Sequence, residues 1–80
     1  MEDEQIIARI TKLAGEERRL EEGHVGRVLT PEEHARLRSI ERTLDQLWDL
    51  LRQRRALRGS GGLPDEAVAR PEETVEGYLQ

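Results

Sequence analysis

The sequence predicts an all-α fold: an antiparallel helical hairpin with a long second helix and an extended C-terminal tail. Three observations support this fold class. Apolar residues recur at helical spacings in two stretches, a short glycine-containing connection separates them, and glycine and proline interrupt the segment that follows. In a chain of 80 residues, enough for one small domain, the hairpin is expected at residues 1–58 and the tail at 59–80.

The first helix is expected at residues 4–22. Its apolar stripe recurs at spacings of four, three and seven residues, at Ile6, Ile10, Leu13 and Leu20. Asp3 is suited to cap the start, and Gly23 is suited to the position where a helix stops.

The second helix is expected at residues 31–58, after a connection at residues 23–30. In the sequence TPEE, Thr30 is the N-cap, proline takes the first helical position, and Glu33 completes a capping box. Gly59 is expected to end this helix.

The second helix carries a coiled-coil-like seam with alternating spacings of three and four residues, at Leu37, Ile40, Leu44, Leu47 and Leu51. Trp48, Leu50 and Leu57 widen this face beyond what one partner helix covers. The sequence therefore predicts a homodimer that forms a four-helix bundle. The expected core and dimer anchors are Leu44, Leu47, Trp48, Leu50, Leu51 and Leu57.

The tail at residues 59–80 allows two interpretations. GSGG is flexible, Pro64 and Pro71 break any helix, and acidic residues predominate, which is typical of a disordered acidic tail. Alternatively, isolated apolar residues pin the tail to the helices as a strap, through Leu63, Val68, Val75, Tyr78 and Leu79.

The end of the second helix carries an arginine cluster, defined as Arg52, Arg54, Arg55 and Arg58. Cations in the last turns of a helix offset its dipole, and the tail acids Asp65, Glu66, Glu72 and Glu73 are close enough in sequence to fold back onto them. The alternative is a docking patch for phosphate, RNA or an acidic protein surface. The lack of aromatic residues on this face argues against single-stranded RNA.

Composition excludes several classes of function. The chain has no cysteine, which excludes disulfides, thiolate catalysis and cysteine-ligated metals. A chain this short is expected to lack a deep substrate cavity, so we expect neither an enzyme nor a cofactor. The acidic start, MEDEQII, is unlike a signal peptide, and no apolar run is long enough to span a membrane, so a cytoplasmic protein is expected.

Two polar features have simple expected roles. His24 and His34 lack the spacing of metal ligands on one helix face, so solvated side chains are expected rather than a metal site. Glu17 falls on the seam of the first helix and is expected to pair with an arginine of the second, such as Arg38 or Arg42.

Several motifs together resemble the domain of unknown function 2630 family, which comprises small, mostly actinobacterial proteins without an assigned activity. The motifs are IIARITKLAGEERRL, LDQLWDLLRQRRALR, PDEA and RPEETVEGYLQ, so the resemblance spans nearly the whole chain. Matching tail positions are Arg70, Pro71, Val75, Glu76 and Tyr78. The resemblance implies that the tail is more than a spacer, which favours the strap.

The expected function is that of a non-enzymatic, self-associating helical interaction or scaffold module whose partner is unknown. The alternative is an RNA- or ribosome-associated factor that docks through the arginine cluster.

Overall fold

A computed structural model describes residues 2–23 and 26–71 of the protein. The first helix, α1, is Asp3–Gly23, and the second, α2, is Pro31–Gly59. A short 3₁₀ helix, Pro64–Glu66, follows, and no strand occurs in these described ranges. The two predicted helices are confirmed, and their observed ends differ from the expected ones by no more than one residue.

The two helices are antiparallel, as two side-chain contacts between opposite ends of their sequences show. Arg36 near the start of α2 donates from Nη2 to Glu16 Oε1 at 2.8 Å, in the second half of α1. Near the other end, Arg54 pairs with Asp3, the first residue of α1.

The core lies where the apolar stripes of the two helices meet. Its buried members are Ile6, Ile10, Leu47 and Leu51, and Leu13, Leu44 and Leu50 pack against them. Ile40, further towards the loop, is also buried. Each fully buried side chain of this size contributes about 1.5–3 kcal/mol, so this seam holds the hairpin together.

The start of α2 is fixed by the capping box that the sequence predicts. The amide of Glu33 donates to Thr30 Oγ1 at 3.1 Å, and the amide of Thr30 donates to Glu33 Oε1 at 2.9 Å. Arg27 adds two hydrogen bonds of 2.8 Å to the same carboxylate. First Arg27 and then the Thr30 amide lower the pKa of Glu33 to about 2.

The end of α2 is a tight turn that depends on glycine. The amide of Gly62 donates to the carbonyl of Leu57 at 2.7 Å. Gly61 has a φ of 82°, in the left-handed region that favours glycine. A Cβ on Gly62 would approach Leu57 Cδ2 to 3.0 Å, so the turn lies directly over that leucine.

Residues 60–71, which we call the strap, return along α2 from this turn. The amide nitrogen of Gln53 donates to the carbonyl of Val68 at 2.7 Å. Two residues further along the strap and one turn earlier in α2, Arg70 pairs with Asp49. The strap therefore lies against α2 as far as Arg70 through polar contacts. Leu63 and Val68, which were expected to pin it, are 67% and 65% exposed, so that part of the prediction is wrong. The strap positions expected at Val75, Tyr78 and Leu79 lie outside the described residues.

Candidate functional site

An apolar groove runs between α1 and α2 on one side of the hairpin. We call it the Trp48 groove, and its lining residues are Ile7, Ile10, Thr11, Ala14, Gly15, Arg18 and Trp48. It has a volume of about 440 Å³. Trp48 and Ile7 are each 45% exposed, so each leaves a large apolar surface in contact with water. Together they form a small exposed apolar patch beside the hairpin core.

The α1 side of the Trp48 groove consists of small or self-satisfied side chains. Ala14 and Gly15 leave space, and the hydroxyl of Thr11 donates to the carbonyl of Ile7 at 2.9 Å. Because that hydroxyl already has a partner on its own helix, covering it would not leave an unpaired polar group. Thr11, Ala14 and Gly15 can therefore be covered by an apolar partner at little cost in desolvation, whereas the charged side chain of Arg18 on the same wall needs a polar partner.

The α1 wall was not predicted from the sequence. Ile7, Thr11, Ala14 and Arg18 recur at spacings of four, three and four residues, which is a second helical stripe beside the core stripe. The stripe contains one large apolar residue and ends in an arginine, so its pattern in the sequence is weak. Its position opposite Trp48 becomes visible only when the two helices pack.

The six expected anchors divide into two groups. Leu47 and Leu51 are buried in the hairpin core, and Leu44 and Leu50 pack against it. Leu57 is half-buried beneath the turn at Gly62. The expectation that Leu50 and Leu57 would remain wet in a single hairpin is therefore wrong, because the core and the turn cover them. Trp48 retains its exposed surface.

Arg54 of the arginine cluster is buried, with only 4% of its surface exposed. It pairs with Asp3 and donates from Nη1 to Asp65 Oδ1 of the strap at 3.1 Å, and Glu2 Oε2 lies 3.6 Å from its Nη2. These carboxylates raise the pKa of Arg54 and thereby keep it charged. All three carboxylates around this guanidinium belong to the chain itself. One of them, Asp65, is a tail acid that was expected to fold back onto the arginine cluster.

The other arginines of the cluster differ in their surroundings. Arg58 Nη2 lies 2.6 Å from Asp3 Oδ2, and hydrogen bonds from Arg54 and then Arg58 lower the pKa of Asp3. Arg52 is half-exposed and lies 3.9 Å from Asp49 Oδ1. Arg55 is exposed. The four arginines therefore do not form one open basic surface.

Asp49 is the attachment point of the strap, and the sequence analysis did not single it out. It is 1% exposed and accepts hydrogen bonds from Arg70 Nε at 2.8 Å and from Gln53 Nε2 at 3.0 Å. Burial alone would raise its pKa, but the hydrogen bonds from Arg70 and Gln53 outweigh burial and the pKa is lowered. No pattern in the sequence around Asp49 indicates that its partner is Arg70.

The expected pairing of Glu17 with Arg38 or Arg42 is wrong. Burial raises the pKa of Glu17, and the neighbouring carboxylates of Glu21, Glu41 and Asp45 raise it further. An arginine partner would have the opposite effect. The register of the helices brings Glu41 and Asp45 of α2 near Glu17.

Comparison with known proteins agrees with the motifs. The family described as protein of unknown function (DUF2630) matches residues 2–80. The chain belongs to this family. Uncharacterized proteins of Mycobacterium bovis and Mycobacterium tuberculosis are each 52% identical to it over 77 residues, which is 95% of this chain and 88% of each relative. No solved structure matches.

In this DUF2630 protein, neither described helix is long and apolar enough to cross a membrane. Residues 2–23 and 26–71 contain no group of three side chains arranged to hold a metal ion. His34 lies exposed in the first turn of α2, and His24 lies outside the described residues.

Proposed function

We propose that this DUF2630 protein is a non-enzymatic interaction module that self-associates through the Trp48 groove. The observation that carries the proposal is the 45% exposure of both Trp48 and Ile7, which flank a groove of about 440 Å³. Covering this surface with protein removes apolar area from water, which is the main favourable term in most protein associations.

Two further features support an interaction module rather than an enzyme. The Trp48 groove is lined mostly by apolar side chains, without converging acids, bases or nucleophiles. The polar groups that do converge, at Asp49, Gln53 and Arg70, are hydrogen-bonded to one another. They also line a pocket of about 300 Å³ beside Arg52 and Ala56, but the hydrogen bonds among them hold the strap in place.

The arginine cluster gives less support to RNA docking. Arg54 is buried against Asp3 and Asp65, and Arg58 also contacts Asp3. A phosphate would have to displace these carboxylates to reach Arg54, and it would compete with Asp3 for Arg58. Arg52, Arg55 and Arg58 are exposed, which is a small patch on a chain with a net charge of −4.

An arginine placed in the groove tests the proposal. Ala14→Arg keeps a good helix former in α1 but puts a long charged side chain into the Trp48 groove. Ala35→Arg is the matched control, because Ala35 is also exposed and does not line the groove. Circular dichroism checks that both variants remain helical, and light scattering after gel filtration measures their mass.

We expect the unmodified chain and Ala35→Arg to be dimers at micromolar concentration and Ala14→Arg to be a folded monomer. A dimer that survives in Ala14→Arg would show that the groove is not the interface. Binding of an unstructured RNA probe that is lost in Arg52→Ala/Arg55→Ala would favour the alternative function instead.

A further inference from the structure

Charges of opposite sign flank the centre of the Trp48 groove at matched distances on α2. Glu41 and Arg55 lie seven residues before and after Trp48, which is two helical turns or about 10 Å on either side. Residues seven apart share a helix face, so the acid, the tryptophan and the arginine lie in one row.

The row on α1 repeats this pattern. Glu4 and Arg18 lie seven residues before and after Thr11, whose side chain lines the groove opposite Trp48. Because α1 and α2 are antiparallel, each end of the groove carries one acid and one arginine. Glu4 and Arg55 lie at one end, and Arg18 and Glu41 at the other.

All four charged side chains are exposed, and none has an ion pair within residues 2–23 and 26–71. By contrast, the arginines that face α1 directly, Arg36 and Arg54, are already paired with carboxylates of α1. The charges beside the groove are therefore available to a partner that covers it.

This pattern is self-complementary. Two copies related by a two-fold axis present the same surface to each other. In such an interface, each acid on that surface has to meet an arginine of the same surface on the second copy. With the axis across the helices, Glu41 meets Arg55 of the second copy, and Glu4 meets Arg18. With the axis along the helices, Glu41 meets Arg18 of the second copy, and Glu4 meets Arg55. Either rotation places acid against base around the apolar centre.

We infer that the partner of the Trp48 groove is a second copy of this chain, packed face to face, with Glu4 and Glu41 of each copy against Arg18 and Arg55 of the other. This inference rests on the proposed self-association and adds the charged contacts that align the two copies. Each chain carries a net charge of −4, so two copies repel at long range. Local pairing of opposite charges at the rim offsets that repulsion and steers the two faces together.

Two charge-reversed chains test the inference. The acidic chain carries Arg18→Glu and Arg55→Glu, and the basic chain carries Glu4→Arg and Glu41→Arg. Alone, each chain places like charges against like charges at every contact, so its dimer dissociation constant is expected to rise at least about 100-fold. Mixed together, the two chains restore every opposite-charge contact. Native mass spectrometry counts both homodimers and the heterodimer, because the chains differ in mass.

The matched control reverses the same kinds of charge away from the groove. Arg38 and Glu32 are exposed positions on α2 that do not line the groove, so Arg38→Glu and Glu32→Arg chains should each self-associate like the unmodified chain. Circular dichroism of every chain separates loss of folding from loss of association.

A heterodimer that predominates in the mixture, with little of either homodimer, is the expected result. A statistical mixture of homodimers and heterodimers, or the absence of a heterodimer, would overturn the charge-paired geometry. If the unmodified chain dimerises in the same experiment, the proposed self-association stands without this geometry. If it remains a monomer, the proposed function fails as well.

Discussion

The ion pair between Asp49 and Arg70 is expected to hold the strap on α2. Replacing the two residues singly and together measures the free energy of coupling between them. Asp49 is 1% exposed, while the side chain of Arg70 is 30% exposed, so one end of the pair is sealed from water and the other is partly open. An exposed ion pair contributes about 0.2–1 kcal/mol, and a hydrogen bond to a charged group about 1.5–3 kcal/mol. This half-sealed pair, with two donors from one guanidinium, should contribute roughly 2 kcal/mol.

The assay is urea unfolding followed by circular dichroism, at one fixed protein concentration because self-association would shift the transition. The chains are the unmodified protein, Asp49→Asn, Arg70→Gln and the double variant. Asp49 also accepts a hydrogen bond from Gln53 Nε2 at 3.0 Å, so the Asp49 substitution reports more than one interaction. The double-mutant cycle isolates the coupling between the two side chains.

A coupling free energy of about 2 kcal/mol is expected, with each single variant less stable than the unmodified chain. Asp45→Asn, one turn earlier on α2, is the control for removing a helix carboxylate, and it should not lower the free energy of unfolding, because Asp45 has the carboxylate of Glu17 as a neighbour. Coupling indistinguishable from zero would refute the assignment of Asp49 as the attachment point of the strap.

Three further predictions concern the hairpin itself. Thr30→Ala removes the N-cap of α2 and should lower the free energy of unfolding by about 1 kcal/mol, whereas Thr30→Ser, which keeps a hydroxyl, should cost much less. The pKa values of Glu33, Asp3 and Glu16 are depressed in the folded protein. These carboxylates therefore stabilise the fold fully above the ordinary carboxyl pKa, and the stabilisation is lost as pH falls towards about 2, the pKa of Glu33. Urea midpoints measured at several pH values should fall over this range. The pKa of Glu17 is raised instead, so Glu17→Gln should raise the melting temperature at neutral pH. This gain should disappear as pH falls below the ordinary glutamate pKa of 4.5. An unchanged melting temperature at neutral pH would contradict the assignment of Glu17 to an acidic neighbourhood.

The two helices could be predicted from the sequence because their signals are local. Thr30 and Glu33 form the capping box that the sequence TPEE predicts, and the core is built from the predicted apolar stripes. Such patterns depend on spacing within one helix, which can be counted directly in the sequence.

The features that could not be predicted depend on contacts between segments. Glu17 was expected to meet an arginine, but the register of the helices, which no single stripe specifies, places it near Glu41. Asp49 meets an arginine that follows it by 21 residues and reaches it only after the strap has turned back. The exposure of Trp48 likewise depends on how much of its ring α1 covers.

The central claim is that two copies of this chain associate through the Trp48 groove. Sedimentation equilibrium of the unmodified protein tests this association most directly. Across low to high micromolar concentrations at physiological salt, the fitted mass should approach twice the 9.2 kDa of one chain. A mass that stays at 9.2 kDa over the whole range would contradict the claim.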